Sequence, residues 1–139
     1  MKKFVTLLLC MLPISLFAQV NDGIRQAMDN YDYETVVMLI ESDCQDSLLL
    51  ITKAQALKAM NRYPEAIGVL NSLILKDSTN TKVLIDLAEC YKLTGNSRRA
   101  ANCYQKAMNL QPENKFFRLQ FIRSLLAVSY THLTLPTIA

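Results

Sequence analysis

The spacing of small and bulky apolar residues between Thr81 and Asn114 constrains this chain more than any other feature. Leu84, Leu87, Ala88 and Tyr91 recur at three- and four-residue intervals, so a helix places them on one face. Ala100, Tyr104 and Ala107 form a second such stripe. Between them lies Gly95, where a helix needs a left-handed residue in order to stop. Asn96 and Ser97 can cap the next helix by accepting its free amide hydrogens. Pro112 prevents that helix from continuing. The pattern predicts one helix from about Thr81 to Thr94 and another ending near Leu110. Ala88 and Ala100 are small enough to let the two backbones approach, and Tyr91 and Tyr104 fill the space beside them.

Ser47 to Asn80 repeats this arrangement in register. Leu50, Ala54 and Leu57 stand where Leu84, Ala88 and Tyr91 stand, and Ala66, Leu70 and Leu73 continue the second stripe. Asn61 replaces Gly95 as the next most tolerant left-handed residue. Pro64 falls at a helix start, where its missing amide hydrogen costs nothing. Lys53 departs from the apolar pattern, but its long stem lets the ammonium reach water. A unit of about 34 residues with Leu84-x2-Leu87-Ala88-x2-Tyr91, then Ala100-x3-Tyr104-x2-Ala107, then Pro112, resembles the tetratricopeptide repeat. The resemblance implies an all-α, helix–turn–helix solenoid, with units at about 21–46, 47–80 and 81–114 and a partial one at 115–127.

The first of these units is irregular. Ile24 and Met28 mark one short helix, and Tyr33, Val36, Val37 and Ile40 mark another, with a polar turn over Ser42 to Asp46. It resembles a terminal capping repeat, which is expected to be atypical. At the other end, Phe117, Phe121 and Leu125 recur every four residues, flanked by Ile122 and Leu126. This reads as the first helix of a further unit, truncated before its partner, with apolar surface left exposed.

Residues 128–137 read VSYTHLTLPT, which resembles an in-frame translation of a sequencing-library adapter. Residues 128–139 are therefore expected to be a disordered, non-native tail. His132, the only histidine, lies within it.

Lys2 and Lys3 precede an apolar run from Phe4 to Phe17, and Ala18 offers a small residue for cleavage. The run is short for a membrane span, which needs about 20 apolar residues. Residues 1–18 read as a signal peptide, with an uncleaved anchor as the alternative. That implies export, to the periplasm or the outer membrane, and no membrane span in the mature chain. The net charge of +3 includes Lys2 and Lys3, so the remainder is close to neutral and gives no case for nucleic acid. Acidic residues crowd the beginning, with Asp22, Asp29, Asp32 and Glu34 against Arg25, whereas basic residues dominate after Ser47.

Cys44, Cys90 and Cys103 follow the signal, an odd number that closes no disulfide framework. Cys90 and Cys103 read as small packing residues, with a disulfide between them left open. With no CxxC pair and no histidine outside the tail, no metal is expected. No nucleophile–base set, phosphate-cradling glycine loop or cofactor motif occurs, so the chain reads as non-enzymatic and without a cofactor. Asp86 and Glu89, three apart on one helix, read as solvated carboxylates.

Partner contact is placed by the resemblance. In the family the first helix of each repeat lines a concave groove. That implies groove positions at Lys58, Lys82, Ile85, Glu89, Lys92 and Arg123, joined by Leu48, Ile51, Gln55, Phe116 and Leu119. Such a surface suits an unknown protein or peptide with apolar anchors and acidic flanks. Some members clamp a terminal carboxylate with a lysine, asparagine and arginine set; Gln55, Asp86 and Glu89 depart from it. Two other readings stay open: the sensor or docking end of a larger signalling protein or enzyme, and part of a surface solute-capture protein.

Overall fold

The computed structural model describes residues 18–40 and 44–134, with side chains as far as Thr131. The described residues form helices and turns, with no strand among them. The expected signal segment lies outside them except for Ala18, and so do residues 41–43 of the polar turn. The chain divides into two compact units, Met1–Cys44 and Gln45–Ala139.

In the first unit, residues 18–29 are helical (α1) and a short helix α2 follows at Tyr33–Leu39. Ile24, Ala27, Val36 and Ile40 are buried. Asp32 caps α2 by accepting from the Thr35 amide at 3.2 Å and the Thr35 hydroxyl at 2.6 Å. These bonds hold its carboxyl below the usual range.

The second unit contains α3 (Ser47–Ala59), α4 (Tyr63–Lys76), α5 (Thr81–Leu93), α6 (Ser97–Leu110) and α7 (Lys115–Thr134). Each packs mainly on its neighbours in sequence, as short connections between antiparallel helices dictate. The predicted stripes are the core: Leu50, Ala54, Leu57, Ala66, Leu70 and Leu73 in one hairpin, and Leu84, Leu87, Ala88, Tyr91, Ala100, Tyr104 and Ala107 in the next. The three longer connections start their helices alike. Asp46 accepts from the Leu48 amide, Asn80 from the Val83 amide and Asn114 from the Phe116 amide.

One tight turn occurs three times. Gly95, Asn61 and Tyr31 have φ of 79°, 59° and 59°. The Gly95 amide donates to Lys92 O and the Asn96 amide to Tyr91 O. Asn61 and Arg62 donate in the same way to Lys58 O and Leu57 O, and Tyr31 and Asp32 to Met28 O and Ala27 O. This pair of bonds satisfies carbonyls that a helix end leaves free. The first unit thus has the repeat's turn although its sequence is irregular, and Tyr31 occupies a backbone region that disfavours side chains. Gly95→Ala is expected to lower stability by about 1 kcal/mol through this strain alone, since nothing lies within 4 Å of an added Cβ. A urea titration reads the change.

Cys90 and Cys103 are buried free thiols, which agrees with their reading as small packing residues and leaves no disulfide between them. Burial, the leading cause, raises the pKa of both and keeps them neutral. Residues 128–134 are helical rather than disordered, because α7 continues to Thr134. No proline or glycine interrupts it between Lys115 and Thr134. Val128 is half-buried, and the Ser129 and Thr131 hydroxyls donate to Leu125 O and Ala127 O one turn back.

Candidate partner-binding face

The first helices of successive repeats, α3, α5 and α7, carry matching side chains outside the core. Ile51, Ile85 and Leu119 occupy the same register position, each half-buried or exposed. On one side of this row stand Leu48, Lys82 and Phe116, all exposed; on the other stand Gln55, Glu89 and Arg123. Ile85 also packs against the buried cluster of Leu84, Ala107 and Phe117, which fixes its position.

Charge is less uniform on this face than the sequence implies. Lys58 on α3 reaches across to α5, with its ammonium 2.6 Å from Asp86 Oδ1 and 2.9 Å from Glu89 Oε2. Burial is the largest single influence on Lys58 and disfavours its charge, but the hydrogen bonds and attraction from Asp86 and Glu89 outweigh it and raise its pKa. Lys58 is therefore neutralised within the protein instead of offering a bare cation. Asp86, read from sequence as solvated, is an inner member of this clasp with a side chain only 17% exposed. Glu89 is 44% exposed and still reaches solvent. Lys82, Lys92 and Arg123 are exposed. The structure thus brings Lys58 and Glu89 together, sets Lys82, Ile85 and Lys92 on the same helix, and places Arg123 on α7. Asp86 is the residue that sequence reasoning left out. Its signal was an acid one turn before Glu89, within reach of a basic residue on the preceding first helix.

The clasp predicts pH dependence. Folding raises the pKa of Lys58, of the Cys90 and Cys103 thiols, and of Tyr104, whose leading cause is also burial. A folded state that holds protons more tightly than the unfolded one keeps that stability below the unfolded pKa and loses it as pH rises through the folded pKa. The melting temperature is expected to fall progressively above about pH 9, where unfolded thiols begin to ionise. A Lys58→Met variant should lose less above pH 10.5 than the wild type does. Equal slopes there would remove the clasp from the explanation.

Residues 57–120 match the sequence model of the tetratricopeptide repeat family. That segment carries tetratricopeptide repeats. Solved structures of similar fold agree with this. The first tetratricopeptide repeat domain of Spaghetti (RPAP3), bound to the HSP90 peptide SRMEEVD, superposes with a TM-score of 0.64 at 16% identity, covering 84% of this chain and 92% of that one. The Yersinia enterocolitica type III secretion chaperone SycD, in complex with a peptide of the translocator YopD, gives 0.61 at 19% identity, covering 86% and 94%. PcrH, in complex with the chaperone binding region of PopB, gives 0.60 at 14% identity, covering 81% and 94%. At these identities the likeness shows a shared fold. The matched repeat segment includes Lys58, Lys82, Ile85, Glu89 and Lys92, whereas Arg123 lies just beyond it.

Proposed function

We propose that the protein is a protein-interaction scaffold that binds a segment of a partner along α3, α5 and α7. The carrying observation is the row Ile51, Ile85 and Leu119, repeated at one register position and not enclosed by the core. Three aliphatic side chains at regular intervals suit a peptide that presents apolar anchors along its length. Peptides bound by the similar structures support this class of partner. Lys82, Lys92 and Arg123 then meet acidic flanks, while Asp86 and Glu89 repel an anion placed beside Lys58. The partner is therefore held by internal anchors and not by a terminal carboxylate.

We also propose an exported setting, in the periplasm or at the outer membrane of a bacterium. Its support is Lys2, Lys3, the apolar run to Phe17 and the small residue Ala18. Among the described residues no helix is long and apolar enough to cross a membrane.

Selection of a random phage-displayed peptide library on the purified protein tests the binding reading. Enriched peptides should carry spaced apolar residues with acidic neighbours. Lys92→Glu should weaken them several-fold, because exposed charges contribute modestly, and leave the melting temperature unchanged. Enrichment of basic peptides, or unchanged affinity in Lys92→Glu, would refute the charge assignment.

A further inference from the structure

The clasp between α3 and α5 is not balanced in charge. One ammonium, that of Lys58, meets two carboxylates, so the triad keeps a negative charge in excess. Lys58 donates to one oxygen of each acid, Asp86 Oδ1 and Glu89 Oε2. Among the described residues no other donor reaches Asp86 Oδ2 or Glu89 Oε1. Neither oxygen is sealed from solvent, since no described side-chain N or O is both buried and without a partner. Both keep their capacity to accept hydrogen bonds.

The excess charge has a fixed place on the partner-binding face. Glu89 lies one turn beyond Ile85 on α5 and is 44% exposed. Lys82 and Lys92 stand exposed on the same helix, one before Ile85 and the other after Glu89. Along α5 the order is therefore cation, aliphatic contact, anion, cation. The bridge from Lys58 orders the Glu89 side chain, which holds the anion in register with Ile85 and with Ile51 on α3.

We infer that the partner segment carries one basic residue, arginine in preference to lysine, next to the apolar anchor seated at Ile85. Its acidic residues lie farther out, where Lys82 and Lys92 meet them. The inference rests on the proposal that α3 and α5 bind the partner, and it names the charge order that they select. A guanidinium presents its donors in a planar fork, which suits two carboxylates that each offer an unused oxygen.

The test selects one random phage-displayed peptide library in parallel on the wild type and on Asp86→Asn combined with Glu89→Gln, each shown by its melting curve to be folded. The wild type should enrich a single arginine or lysine beside an apolar residue. The double variant should enrich the apolar spacing without it. Replacing the basic residue of a wild-type peptide by glutamine should lower affinity about fivefold, as for a partly exposed ion pair, and should cost nothing on the double variant. Lys58→Met acts in the opposite sense: it leaves both carboxylates unopposed and should tighten the same peptide. Wild-type peptides with apolar spacing but no basic residue would overturn the inference and leave the binding proposal standing. A glutamine replacement that costs the same on both proteins would do likewise. Failure to enrich any peptide would overturn both. Self-association in sedimentation equilibrium that disappears in the double variant would overturn the assignment to a separate partner and place a second copy there.

Discussion

Leu87→Asp is expected to unfold the second unit. Leu87 is 3% exposed and belongs to the stripe that joins α5 to α6. Truncating a buried leucine costs about 2–5 kcal/mol, and placing an unpaired carboxylate there adds several more. A small domain has about 5–15 kcal/mol in total. Lys53 shows why this position is not simply tolerant of charge. It stands at the Leu87 position of the preceding repeat and is half-buried. Its long stem brings its charge close enough to Glu65 to lower that carboxyl's pKa, a contribution that follows the hydrogen bond from Arg62. An aspartate is too short to do the same. Circular dichroism at 222 nm should show most helicity lost at 25 °C. Retained helicity with an unchanged melting temperature would mean that Leu87 does not sit in a helix–helix seam.

The second large effect concerns binding. Ile51→Lys combined with Ile85→Lys should weaken a selected peptide by about 100-fold, near 2.7 kcal/mol. Both residues lie outside the fully buried set, so their stems can stay in place while the charges reach solvent. Helicity should change little. An Asn102→Lys control on the exposed side of α6 should bind as the wild type does. If the control loses as much affinity as the double variant, the partner does not use the first helices.

Much of the second unit is legible because its rules are local. Gly95 and Asn61 mark left-handed turns, Pro64 and Pro112 bracket helices, and alanines at fixed spacing mark close approach. The first unit is harder to read, since Tyr31 adopts the turn conformation without being a residue that favours it. The α7 extension was obscured because the resemblance of residues 128–137 to a translated adapter carries the expectation of a disordered tail, whereas helix continuation needs only the absence of breakers and some packing. The clasp was hidden for a different reason. Lys58 reaches Asp86 and Glu89 at separations of 28 and 31 residues, shorter than the repeat. It pairs diagonally across neighbouring first helices, and a column-by-column reading of the repeat does not show diagonals. The aliphatic row was visible as residues, but its exposure required the packed structure.

Hydrogen–deuterium exchange with and without a peptide selected on the purified protein tests the central claim most directly. The account predicts slowed exchange concentrated in Ser47–Ala59 and Thr81–Leu93, with Tyr63–Lys76 and Ser97–Leu110 little changed. Protection concentrated in the second helices instead, with α3 and α5 unaffected, would contradict it.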